Sequence, residues 1–332
     1  MDSAQKVSAS KGLAWAVAGS AAFTFAIWFL NYRLTGLALQ IGQPGAQRIY
    51  PWMLAERRDW AQFTAWLGYA LHQILFWRII WRAQKAGTRF SSSLRSHNWQ
   101  AFAVTAGFIS LHFLHTHIFY DGLAPDVPEW TAMWSVIIML LVIILMENRR
   151  RGLAFGIPWG GFVADASAVA RRYHGYFFAW AAIYTFWYHP MVSTPGHLLG
   201  FFYMFLLFTQ GSLLYSRAHT NKWWTVFLEV LVMIHGVTVA IVGADGAWHM
   251  FGFGLAGVFV VTQGFGLGWQ RSVSWTLVAI YTVALLGFYS QWGWQDLIKP
   301  FRILGGYYVA LPVLAAVIWG AGRLLRIPAK SS

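Results

Sequence analysis

The sequence predicts an all-α protein, a polytopic bundle of transmembrane helices with about ten spans and both termini cytoplasmic. Three observations carry that prediction. The first is composition. Of 332 residues, 58% are hydrophobic and only 11% are charged, with a mean hydropathy of +0.50. A soluble domain carries about 25% charged residues, so this chain cannot cover itself with a hydrated surface. The second is the set of continuous apolar runs, each near the roughly 17–25 residues that a bilayer span needs. The third is the distribution of Lys and Arg between alternate loops. Seventeen of the 24 basic residues fall on one side of the alternation and six on the other, the bias expected when basic loops stay cytoplasmic.

The runs read in order as Leu13–Leu30, Phe63–Trp81, Ala101–Tyr120, Trp130–Met146, Tyr173–Val192, Leu198–Tyr215, Trp223–Val242, Met250–Leu267, Val273–Tyr289 and Ile303–Ala321. All ten are taken as one integral membrane domain over residues 1–332, in a bacterial inner membrane. They are helices and not barrel strands, because they show no two-residue alternation. The first follows a polar N-terminus without a convincing cleavage site and reads as a span, not a signal peptide. Arg78 sits inside the second span, one turn from its inner end, where it can snorkel.

Two loops contain more than connecting residues. The segment from Gln43 to Gln62, with Pro44, Pro51 and the run Glu56-Arg57-Arg58-Asp59, predicts a short interfacial helix from about Trp52. Gly152 to Arg172, with Pro158, predicts a second one starting near Asp165. In the eighth span, Gly264 and Gly268 have the small-xxx-small spacing that lets helices approach closely. Trp130, Trp223, Trp224, Trp269, Trp292 and Trp294 lie near span ends, where indoles anchor at the headgroup level.

Charge and cysteine usage exclude other classes. The net charge of +13 belongs to topology and not to nucleic acid, since no basic aromatic surface stands clear of the apolar runs. With no cysteine at all, disulfides, thiolate metal sites and thiol nucleophiles are excluded.

Histidine carries the functional signal. There are 11, as many as Asp and Glu together. At 1.5 Å per residue, His112 lies roughly 17 Å, His235 roughly 18 Å and His72 roughly 14 Å from the inner end of its own span. Separate helices therefore present imidazoles at overlapping depths, which suits a ligand set inside the bundle. His112, His115, His189 and His235 are the expected cofactor ligands, with His117, His197 and His249 as further metal-binding candidates. His112 and His115 share a helix face; His117 does not. His117 and Asp121 are spaced i,i+4 and predict a pair that would set the imidazole tautomer. Asp245 and His249 are spaced alike. Pro190 ends or kinks the fifth span at His189.

Carboxylates are scarce, and only Glu229 lies well inside a span. That scarcity argues against di-iron, calcium and magnesium sites. An all-histidine shell suits haem b or copper, with zinc a further option. His97 with His112, and His174 with His189, stand 15 residues apart, as a stacked dihaem needs, with a bearing mismatch of about 60°. For His72, His97, His174 and His219 the preferred reading is a hydrogen-bonded core or boundary residue.

The leading functional expectation is a membrane metalloprotein or oxidoreductase with its centre from mid-membrane to the outer leaflet, taking a quinol or another lipid-soluble substrate. Glu229 is the expected proton carrier; Asp121 and Asp245 are expected as orienters or bases. Two other classes compete: a proton-coupled transporter, and a lipid- or glycan-modifying transferase using histidine as general base.

Overall fold

A computed structural model describes residues 7–39, 50–56, 58–243 and 246–327. The described residues form helices and no strands. The long helices are α1 (Ala9–Leu30), α2 (Asp59–Lys85), α3 (Ser96–Phe119) and α4 (Glu129–Met146). After the single turn α5 (Asn148–Arg151) come α6 (Phe162–Tyr188), α7 (Pro195–Ser212), α8 (Lys222–Val242) and α9 (Trp248–Val261). The single turn α10 (Gln263–Gly266), then α11 (Arg271–Trp292) and α12 (Ile298–Leu324) complete the order.

Each apolar run of the sequence is largely helical, the eighth being divided between α9 and α10. Among the described residues, seven segments are long and apolar enough to cross a membrane: Ala9–Leu34, Ser96–Phe119, Glu129–Met146, Lys222–Val242, Trp248–Gly266, Arg271–Trp292 and Trp294–Leu324. That is compatible with an integral membrane protein. The other three helices, α2, α6 and α7, carry the polar load. Gln73 and His72 on α2, and Thr209 and Ser212 on α7, are buried. Conversely, Phe25, Val283 and Val309 are 61%, 72% and 68% exposed, a pattern that suits lipid contact and not water.

The chain divides into two compact units, Met1–Ile137 with Gly175–Leu228, and Ile138–His174 with Glu229–Ser332. In the first, α2 packs on α3, and α7 on both α1 and α3. Its core is aromatic: Phe186, Trp187, Tyr188 and Phe205 are at most 2% exposed. Gly68 admits the Trp187 indole, since a Cβ there would stand 2.2 Å from that ring. In the second unit α9 packs on α12 and α11. Gly254 and Gly257 make that approach, against Ile303 and Tyr281.

Four local expectations are corrected. Residues 50–56 form no interfacial helix. Their backbone bonds crosswise instead: Leu54 N donates to Asp121 Oδ1 at 2.8 Å and Ala55 N to the Ala38 carbonyl at 3.1 Å. No separate helix starts near Asp165, because nothing breaks the chain between there and Tyr173; α6 runs unbroken from Phe162 to Tyr188. Gly264 and Gly268 do not share a helix. α9 stops at Val261 and Gly268 adopts φ +75°. Trp224 is buried, not interfacial, and its Nε1 donates to Gln210 Oε1 at 2.7 Å.

Candidate functional site: a tyrosine between two histidines

The site forms in the first unit where α6 ends and α7 begins. Pro190 lacks an N–H and restricts the residue before it, so α6 closes at Tyr188 and His189 turns out of the helix. Thr194 caps α7, accepting from His197 N at 3.3 Å, with Pro195 in the first turn. That cap sets His197 facing back toward His189, with ring centroids 5.5 Å apart.

Tyr50 lies between them. Its hydroxyl is 2.7 Å from His189 Nδ1 and 2.6 Å from His197 Nε2. One phenolic proton cannot serve two lone pairs. The hydroxyl therefore donates to one ring nitrogen and accepts from the protonated other. His197 Nδ1 extends the chain to Thr194 Oγ1 at 2.7 Å. The ring of Trp52 packs edge-on against His197 at 4.9 Å. Tyr50 is 8% exposed. Burial raises its pKa well above the ordinary tyrosine value, helped by the nearby Tyr120, Tyr188 and Glu129. The group thus rests as a neutral hydroxyl and not as a phenolate.

Beside Tyr50 is a cavity of about 560 Å³, walled by Tyr50, Tyr188, Pro128, Glu129, Trp130 and Met133 among others. Tyr188 is 1% exposed and its hydroxyl has no hydrogen-bond partner among the described residues.

The histidines of α3 lie behind this chain. His112 Nε2 donates to the His189 carbonyl at 2.8 Å, which fixes the tautomer and leaves Nδ1 a bare acceptor, buried and without a partner. Its ring packs between Phe186 and Trp187 at 4.8 and 4.4 Å. His115 Nε2 lies 3.0 Å from Thr64 Oγ1, and its Nδ1 has no partner. The His112 and His115 rings stand 5.8 Å apart. His117 Nδ1 donates to the Phe113 carbonyl of its own helix at 2.8 Å. It does not pair with Asp121, because α3 ends at Phe119 and Tyr120 takes φ 67°, carrying Asp121 off the helix to Leu54 N. Asp121 therefore holds the segment that presents Tyr50. His72 is fully buried, stacked on Phe108 at 4.5 Å.

The remaining candidates belong to the second unit. His235 on α8 is half-buried. His249 Nδ1 is 2.7 Å from the Tyr289 hydroxyl. Glu229 is held by Arg151, whose Nη1 donates to both carboxylate oxygens at 3.0 Å. Asp245 lies outside the described residues. Among the described residues no group of three or more His, Asp or Glu side chains is arranged to hold a metal ion.

Sequence reasoning missed Tyr50, which lies in a loop, and Tyr188 and Glu129, which stand at helix ends. The Thr194-Pro195 pair is a readable helix start, and it would have placed His197 in the first turn of α7. No family model matches this chain, and comparison with curated proteins and solved structures finds no significant match.

Proposed function

We propose that the chain is an integral protein of a bacterial inner membrane, with about ten spans and cytoplasmic termini. We assign acid–base chemistry on a membrane-borne hydroxyl to the Tyr50 site, which this topology puts at the outer leaflet. The reading falls in the lipid- or glycan-modifying transferase class. The observation that supports it is Tyr50 Oη within hydrogen-bond reach of His189 and His197 beside a cavity. A substrate hydroxyl bound there gives its proton to Tyr50 Oη as the tyrosine's own proton passes to the acceptor imidazole. The substrate oxygen bonds to the electrophilic centre of an activated lipid or sugar donor, the donor's bond to its leaving group breaks, and the imidazolium protonates that leaving group. Lipid analysis of cells expressing the wild type, Tyr50→Phe, His189→Ala and His197→Ala tests this. A product made by the wild type should fall by about 10²–10⁴-fold in all three variants. A lipid profile that expression leaves unchanged overturns the reading.

A second reading is a histidine-ligated haem b or copper centre, or zinc, in a quinol-linked oxidoreductase. The bare, buried Nδ1 atoms of His112 and His115 favour it, since a lone-pair nitrogen is what a metal takes. Elemental analysis and a visible spectrum of the pure protein decide it. Stoichiometric copper, zinc or haem iron lost in His112→Ala supports a centre, and metal-free active protein removes it.

A further inference from the structure

The wall chemistry of the cavity beside Tyr50 is selective. Among the described residues its lining contains one carboxylate, Glu129, two tyrosines, prolines and apolar side chains, and no Lys, Arg or His. An anionic group there would face that acid at close range and meet no cation among the described lining residues. A hydrogen-bond donor, by contrast, meets the Glu129 side chain in this wall, which also contains Tyr188, whose buried hydroxyl has no partner among the described residues. A buried hydroxyl without a partner costs roughly what a lost hydrogen bond costs, so a ligand that engages it is favoured.

Position adds the second constraint. Glu129, Trp130 and Met133 lie within the first five residues of α4, a helix long and apolar enough to cross a membrane. Trp130 and Met133 are 59% and 56% exposed. The cavity is thus at the end of an apolar span, at the level where Trp meets headgroups, and part of its rim is the lipid-facing side of that helix. Its volume lies in the range of small-ligand pockets.

We propose that this cavity binds the headgroup of a membrane amphiphile, one that donates hydrogen bonds through hydroxyl or ammonium groups and carries no net negative charge. The acyl chains stay in the bilayer alongside Trp130 and Met133. The proposal deepens the acid–base reading and rests on it for the chemistry after binding, because the bound headgroup brings a hydroxyl or amine beside Tyr50.

The test is headgroup photolabelling in phosphatidylcholine nanodiscs, read by peptide mapping and without turnover. The probe is a glucosyl-diacylglycerol with a diazirine on the sugar. In the wild type, label should concentrate about tenfold on the peptide covering residues 124–133 relative to other lipid-facing helices. Unlabelled glucosyl-diacylglycerol or phosphatidylethanolamine should compete, and which competes better separates a hydroxyl from an ammonium source. Glu129→Gln keeps binding of the hydroxyl lipid and loses that of the amine. Tyr188→Phe weakens both, and Glu129→Lys admits phosphatidylglycerol. The proposal fails if label spreads evenly over the lipid-facing helices. It fails equally if phosphatidylglycerol competes as well in the wild type, or if free glucose does. Lost selectivity overturns the headgroup assignment alone; the acid–base reading is judged separately, by product loss in the histidine variants.

Discussion

The Nε2 atom of His112 donates to the backbone carbonyl of His189 across 2.8 Å, joining the middle of α3 to the end of α6. The carbonyl lies past the last helical residue, where no helix N–H reaches it, and His112 supplies the donor. The same contact ties down the backbone of His189, whose ring meets Tyr50. His112→Phe keeps a ring between Phe186 and Trp187 but leaves that carbonyl unsatisfied, which should cost about 1–3 kcal/mol. His112→Ala adds a cavity and should cost about 3–5 kcal/mol. Thermal unfolding in detergent measures both. Equal melting of His112→Phe and wild type would show that the contact carries no stability.

Arg151 and Glu229 make the corresponding buried link in the second unit. Arg151 is 1% exposed and Glu229 13%. Arg151 also stands 3.3 Å from Glu147 through Nε, and Arg150 ties Glu147 to Gln263. Removing one partner of such a pair leaves a charge in a low-dielectric interior. Arg151→Met should therefore cost about 3–5 kcal/mol, and Arg151→Met with Glu229→Leu should recover most of it. A double-mutant cycle on unfolding checks this. Additive losses would mean that the two side chains are not coupled.

How legible these features were in the sequence depends on their range. Helices were readable because lipid and a helical interior both demand continuous apolar runs, and Pro190 marked the end of α6. The depth of His112 and His115 followed from counting residues along one helix. Their partners did not, because Thr64 and the His189 carbonyl come from other elements. Arg151 reads as a loop residue, and only the fold shows that its turn is buried. Tyr50 lies in no periodic segment, so its meeting with His189 and His197 is a tertiary fact. The break in α9 at Thr262 was hidden for the opposite reason, since the apolar run continues through it.

Gly122 offers a sharper check of how α6 ends. A Cβ there would lie 2.4 Å from the Trp187 carbonyl oxygen and 2.7 Å from that of Tyr188. Both atoms are backbone, so relief requires moving the end of α6 and with it His189. Gly122→Ala should destabilise by about 1–3 kcal/mol and lower activity beyond its effect on folded protein. Gly107→Ala, in the interior of α3 with nothing within 4 Å, should stabilise by up to about 1 kcal/mol. Unfolding midpoints of the two variants compared with wild type decide this; a neutral Gly122→Ala would contradict the packing.

Tyr50 should make the fold sensitive to alkali. Its folded-state pKa is raised well above 10.0, chiefly by burial. Above pH 10.0 the unfolded chain releases this proton while the folded chain keeps it, so the native state binds more protons and stability falls as pH rises. The contribution is fully present below the unfolded value and is lost progressively above it. Tyr50→Phe has no proton to lose. Its unfolding midpoint should therefore fall less steeply than that of the wild type between about pH 9 and pH 11. The variant should also lose the bridge between His189 and His197, so it starts from a lower midpoint at neutral pH. Parallel alkaline limbs for the two proteins would mean that Tyr50 ionises as freely in the fold as outside it, and the relay would then rest on a phenolate.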